Sequence, residues 1–224
     1  NIDFIINKKF DKKFSKIKYK NFIGNFLYKK IKPKYIFVSN NFRFGHKREG
    51  DVNSLKKSEK IYNYKVINPL PLKKNLKIIS STLIRKYLTA GKIKIANKYL
   101  KRNWTIEGIV KAGRRLGRKI GFPTCNIDIE DYIISKPGVY AVKVKIGKNN
   151  RKLNGIANLG YRPTFNQKKI LLEVNIFNFS KNIYNKKLKV EFISFIRGEK
   201  KFKNVAQLKK QIDKDILVSK TELK

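Results

Sequence analysis

From Trp104 onward, apolar and polar residues alternate in short runs broken by Gly, Asn and Pro. "WTIEGIVKAG", "GVYAVKVKIG", "KLNGIANLG", "ILLEVNIFNF" and "KLKVEFISFI" each read as a strand, several with the period of two that puts alternate side chains on opposite faces. "VAQLKKQIDKDIL" then switches to helical spacing. This half predicts a small antiparallel barrel closed by one C-terminal helix. Upstream the pattern alternates between element types. "IDFIIN", "KYIFVS" and "YKVINPL" read as strands, and "FSKIKYKNFIGNFLYKKI" as an amphipathic helix. "SSTLIRKYLTAG" reads as a helix capped by Ser80 or Ser81 and stopped by Gly91, and "KIKIANKYLK" continues as helix. Strands separated by helices imply an α/β unit with a parallel sheet. The expected division falls near "KRNW": an α/β domain over 1–101 and an all-β domain over 102–224, with no internal repeat.

Composition narrows the class of protein. A chain of 224 residues that is 41% hydrophobic buries enough surface to fold. With 55 Lys+Arg against 15 Asp+Glu the formal charge is +40, which would draw polyanions. The basic residues are interleaved with Ile and Asn along the whole chain, so no specific nucleic-acid partner is expected. One Cys and one His exclude an internal disulfide and a Cys/His zinc site, and a cytoplasmic location is expected. No apolar run is long enough to cross a bilayer as a helix. The chain starts at Asn1 and contains no Met, as expected for a piece of a longer protein.

The candidate chemistry lies in "GRRLGRKIGFPTCNI", residues 113–127. Gly113, Gly117 and Gly121 recur every fourth residue, a spacing that fits neither the Walker nor the dinucleotide fingerprint. Glycines let backbone N–H groups converge on a ligand, and neighbouring Arg and Lys neutralise phosphate. Thr124 and Asn126 offer hard oxygens suited to Mg²⁺ and would share one face of a strand. Spacing alone leaves both a phosphate cradle and an ordinary basic loop open. Cys125, with no His beside it, reads as a small apolar filler.

The same stretch resembles the ATP-binding segment of the riboflavin kinase family, whose signature contains Gly-Phe-Pro-Thr-Ala-Asn. "GVYAV", "NLGYRPTF", "LLEVNIFNF", "IYNKKLKVEF" and "IRGEKKF" follow in that family's order. Upstream, "VSNNFRFGHKREGDV" and "ISSTLIRKYLTAGKIKIANKYLKR" resemble the FMN adenylyltransferase module of the bacterial bifunctional riboflavin kinase/FAD synthetase family. The likeness covers nearly the whole chain. It implies a partial Rossmann-like nucleotidyltransferase domain ahead of a Greek-key-type riboflavin kinase barrel.

By that resemblance, the barrel half transfers the γ-phosphoryl group of ATP to the 5′-hydroxyl of riboflavin, giving FMN, with Mg²⁺ as cofactor. Glu173 matches the family's general base, and Thr124 and Asn126 its metal and phosphate ligands. Gly117, Arg118 and Gly121 match the flap over the nucleotide, while Arg162 and Arg197 sit in segments used near the flavin and nucleotide. Cys125 replaces the usual Ala, Asn175 a common His, Asn178 an Asp, Asn185 a Gly and Gly198 a Pro. In the upstream half, Ser80, Ser81 and Arg85 match an ATP-binding element at a helix start, a place that suits an oligophosphate; plain capping is the simpler reading of the serines. The module's early glycine- and histidine-containing motif has no counterpart, because His46 lies in a different motif. FAD synthesis from FMN is therefore expected to be impaired in this chain. Two other readings stand beside these: a basic nucleic-acid-binding protein and a flavin-binding protein without catalysis.

Overall fold

The computed structural model describes residues 2–74, 77–113, 116–129, 132–163 and 168–224. Side chains 77, 116, 119, 162, 163, 168 and 169 lie outside the description. The chain packs as two compact units, one up to Ile79 and the other Ser80–Lys224.

The first unit has a parallel strand pair, Tyr35–Phe37 with Lys65–Ile67, as the alternating pattern predicts. Its core gathers Ile23, Phe44, Val52, Leu55, Tyr64 and Val66. Helix Val52–Lys57 starts at Asp51, whose carboxylate accepts from Ser54 N at 2.8 Å while the Ser54 hydroxyl reaches back to the Asp51 amide. That reciprocal cap satisfies two helix-end donors at once. The strand expected over "IDFIIN" is absent: residues 2–10 have no regular structure. Ile2, Phe4, Ile5, Ile6 and Phe10 are 75–91% exposed. A strand exists only through a ladder partner, and among the described residues none pairs with this segment.

The continuous helix expected over 14–31 is also broken. A turn at Lys12–Ser15, capped by Asp11, is followed by Tyr19–Asn21 and then a π-helical stretch, Phe22–Ile31. The break has a backbone cause. Ile17 O accepts from His46 N at 2.7 Å and Tyr19 N donates to Glu49 at 2.8 Å, so the groups a helix needs are committed elsewhere.

The second unit begins with α1 (Ser81–Thr89) and α2 (Ile93–Leu100). Ser80 caps α1 by accepting from Leu83 N at 3.2 Å, and Gly91 takes φ +73° between the two helices. The six barrel strands are β1 (Trp104–Lys111), β2 (Cys125–Asp128), β3 (Gly138–Ile146), β4 (Leu153–Pro163), β5 (Lys168–Ile176) and β6 (Lys187–Gly198). They close in the order β4-β5-β2-β1-β6-β3, every pairing antiparallel. Closure leaves no free sheet edge. Inward positions fill the barrel with Ile106, Ile127, Tyr140, Leu172, Leu188 and Phe192 among others, all fully buried. Helix α3 (Val205–Glu222), capped by Asn204, completes the unit.

Packing places α1 and α2 with the barrel. Leu88, Ile93 and Ala96 belong to the same core as Trp104, Val190 and Phe192. Asn97 bridges the end of the β1–β6 ladder, donating to Phe192 O at 2.8 Å and accepting from Trp104 N at 2.7 Å.

Candidate active site

The barrel's register brings the site together. Directly opposed residues run across its strands in one row: Lys111 on β1, Asn126 on β2, Glu173 on β5, Asn158 on β4, Val139 on β3 and Arg197 on β6. The flanking residues Ile127, Leu172, Val174, Ala157 and Leu159 are buried inside, so the row faces outward. Glu173, Asn158, Val139 and Arg197 form the floor of a cleft of about 630 Å³. Its other walls are Leu208 and Ile212 of α3, and Gly117, Ile120 and Phe122 of the glycine-rich segment.

A second cleft, of about 410 Å³, is lined by Arg118, Pro123, Thr124 and Cys125 together with residues 179–184. Thr124 lines both clefts. It is exposed and stands one residue ahead of β2, so only Asn126 of the pair lies in the strand.

The segment before Thr124 folds as a helical turn, Leu116–Lys119, closed by Phe122 N donating to Gly117 O at 2.8 Å. A Cβ at position 117 would strike the Phe122 carbonyl, and Gly121 has φ +91°, so both sites require glycine. Arg114 and Arg115 lie outside the described residues.

Asn126 is buried, and its Oδ1 has no hydrogen-bond partner among the described residues. A Cβ on Gly113 would overlap the Asn126 amide, so the glycine is what leaves room for it. Leaving a buried acceptor unmet costs about 1–3 kcal/mol, a cost that a ligand at this point would remove.

The carboxylates sort themselves by partner. Glu107 is held by Lys187 at 2.7 Å and Lys189 at 3.1 Å, and Glu191 by Lys152 at 2.7 Å. The two lysine hydrogen bonds hold the Glu107 carboxyl below its ordinary range. Half-buried Glu173 is different: among the described residues it makes no ion pair and no side-chain hydrogen bond. Most other described acids of this unit are spent on lysines or arginines, whereas Glu173 and Glu199 line the larger cleft without an ion pair among the described residues.

Arg197 lines the larger cleft with its guanidinium already engaged. Nε and Nη2 donate to buried Asp215 at 2.7–3.0 Å, and Nη1 donates to Gly198 O at 2.9 Å. Gln211 adds a bond to the same carboxylate at 2.9 Å. The planar fork thus ties β6 to α3. Arg162 is in β4 opposite Lys169, and its side chain lies outside the described residues. Ser80 caps α1, and the Ser81 hydroxyl accepts from Arg85 at 3.3 Å.

Cys125 is buried, its Sγ set 3.3 Å from Val174 O, and burial pushes the thiol up to about 11. Its thiolate is scarce at pH 8. Alkylation of the native chain by iodoacetamide is expected to run about 100-fold slower than that of the guanidinium-unfolded chain. Equal rates would contradict a closed site.

Three parts of this constellation were missed by sequence reasoning. Asn158 joins the site only through register, Asn175 through a side-chain bond to the backbone, and residues 180–182 from the short loop between two family motifs. Among the described residues there is no cluster of three His, Cys, Asp or Glu able to hold a metal, and no helix is long and apolar enough to cross a membrane.

A closed barrel thus carries two clefts that meet at Thr124, with Glu173, which has no ion pair among the described residues, on the larger one. The riboflavin kinase family matches residues 100–223, and the FAD synthetase family matches 1–83. The bifunctional riboflavin kinase/FMN adenylyltransferase of Buchnera aphidicola subsp. Schizaphis graminum is 43% identical over 98% of this chain and 71% of its own length. That of Escherichia coli strain K12 is 33% identical over 98% and 70%. A crystal structure of a macrolide-efflux protein from Streptococcus pneumoniae superposes with a TM-score of 0.81 at 30% identity, covering 94% of this chain and 67% of that one. The chain belongs to the bifunctional riboflavin kinase/FMN adenylyltransferase family, with a riboflavin kinase domain preceded by part of an FAD synthetase region. These matches lend no support to the nucleic-acid-binding or non-catalytic readings.

Proposed function

We propose that the chain phosphorylates riboflavin at its 5′-hydroxyl, using ATP, in the barrel's paired clefts. The observation that carries this reading is Thr124: it lines both clefts, with Glu173, which has no ion pair among the described residues, on the floor of the larger. The larger cleft, walled by Val139, Ile156, Phe202, Leu208 and Ile212, suits a flat apolar ring system. The smaller, with Arg118 and Lys181, suits a nucleotide's phosphates. The hydroxyl oxygen attacks the γ-phosphorus, the bond to ADP breaks, and Glu173 accepts the hydroxyl proton. Gly117 and Gly121 shape the flap. Arg197 acts as a cleft wall held by Asp215, and Arg162 is proposed on the flavin side by family likeness alone.

Mg²⁺ fits the oxygens at hand. Thr124 Oγ1 and the orphaned Asn126 Oδ1 are hard donors of the kind it prefers, and both would hold it. When bound, the ion neutralises phosphate charge.

We assign 102–224 to the kinase function and 1–101 to adenylyl transfer, with Ser80, Ser81 and Arg85 receiving phosphate although α1 packs on the barrel. FAD synthesis is impaired in this chain. It holds a single histidine, His46, whose Nδ1 lies 3.1 Å from Ser15 O. The test is chromatographic separation of flavins after incubation with ATP and Mg²⁺. Riboflavin should yield FMN, while FMN should yield no FAD. Absence of FMN from folded protein sinks the kinase reading, and FAD formation sinks the impairment.

A further inference from the structure

We infer that Asn175 is a positioning residue for the nucleotide side of the site, setting the place from which Thr124 projects; this rests on the phosphotransfer reading above. The β2–β5 ladder ends where Cys125 faces Val174. One rung further would pair Thr124 with Asn175, and there the side chain takes over from the backbone. Asn175 Nδ2 donates to Pro123 O at 2.7 Å. An amide side chain thereby supplies the donor that the next ladder rung would have supplied.

The placement matters because the turn before Thr124 is bonded to itself. Ile120 N and Phe122 N both donate to Gly117 O, and Gly121 N donates to Arg118 O. None of these bonds reaches the barrel. Among the described residues, the Asn175 bond is what joins the exit of this turn to β5. The peptide unit from Pro123 C=O to Thr124 N is planar and rigid, so holding its carbonyl orients the start of Thr124. Asn175 also shares a face with Glu173, two residues away on the same strand, about 7 Å apart at a strand's rise. The threonine at the meeting of the clefts and the carboxylate on the floor are thus both referenced to β5. A misplaced reacting group loses rate steeply with distance, which gives a single amide this leverage.

Asn175→Leu keeps the volume and removes the donor, while Asn175→His restores an N–H. Steady-state kinetics in both substrates, calorimetric titration of ADP with Mg²⁺, and thermal melts would be run on the full chain. Asn175→Leu is expected to lower kcat about tenfold and to weaken ADP binding by a similar factor. Because Asn175 itself lines the larger cleft, riboflavin KM is free to change; Tm should stay within about 3 °C, with Asn175→His recovering much of the loss in kcat and ADP affinity. A leucine variant within twofold of the parent in kcat and ADP affinity overturns the assignment. So does one that loses ADP and riboflavin binding together with its melting temperature, since the amide would then merely hold the barrel. If the parent makes no FMN, the kinase reading fails separately, and the ADP titrations still decide the role of Asn175.

Discussion

Replacing Glu173 by glutamine is expected to cut FMN formation about 100-fold or more while leaving the fold and both substrate affinities nearly intact. The amide keeps the shape and the hydrogen-bonding length of the carboxylate but cannot take a proton at neutral pH. Positioned general bases contribute about 10²–10⁴ in rate. The fold should be indifferent, because Glu173 makes no ion pair or side-chain hydrogen bond among the described residues and so holds nothing together. Glu107 and Glu191 provide the contrast. Each is bound to lysine, and a glutamine there should lower stability and leave turnover alone. Single-turnover kinetics with saturating ATP and riboflavin separate chemistry from binding. A Glu173→Gln variant that turns over within threefold of the parent would remove Glu173 from the reaction.

The second large effect concerns where the barrel unit begins. A chain starting at residue 102 is expected to be much less stable than one starting at Ser80, although both contain every barrel strand. Removing residues 80–101 takes Leu88 and Ile93, 3% and 1% exposed, out of the core. Each such side chain is worth about 1.5–3 kcal/mol of burial. The cut also orphans Phe192 O and Trp104 N, both bonded to Asn97, and Lys136 N, bonded to Leu88 O at 3.1 Å. Each lost hydrogen bond costs about 0.5–1.5 kcal/mol, since the freed groups meet water. The sum is a large share of the ~5–15 kcal/mol that holds a domain folded. The shorter chain should melt at least 10 °C lower or fail to accumulate as folded protein. Equal melting temperatures would show that α1 and α2 are dispensable to the barrel.

The comparison of pattern with structure is instructive at particular elements. Strands β1 and β3 to β6 and helix α3 were legible because each carries its own period, and because Gly, Asn and Pro mark their ends; β2, only four residues long, is too short to show one. The cap at Ser80 and the stop at Gly91 were equally local. The "IDFIIN" segment misled for the opposite reason: its residues favour a strand, but pairing is a property of two segments and is not written in one. The helix over 14–31 failed where Glu49 and His46, thirty residues away, claim the backbone of Ile17 and Tyr19.

The site divides along the same line. Thr124, Asn126 and Glu173 could be named from short motifs and family likeness, since their chemistry is carried by residue type and spacing. Their meeting could not. It comes from the register of six strands, which sets Asn126, Glu173 and Asn158 in one row and turns that row outward toward α3. Arg197 could be placed near the clefts by motif, yet only the fold commits its guanidinium to Asp215, eighteen residues further on. By itself the sequence determined most of the barrel strands, the C-terminal helix and the residue types able to handle phosphate, because these depend on neighbours within a few positions. Tertiary structure decided that α1 and α2 pack with the barrel, that Glu173 has no ion pair among the described residues of a chain of charge +40, and that Asn175 takes hold of Pro123. Those outcomes depend on which distant groups reach one another first, and distance through space is what closure of the barrel creates.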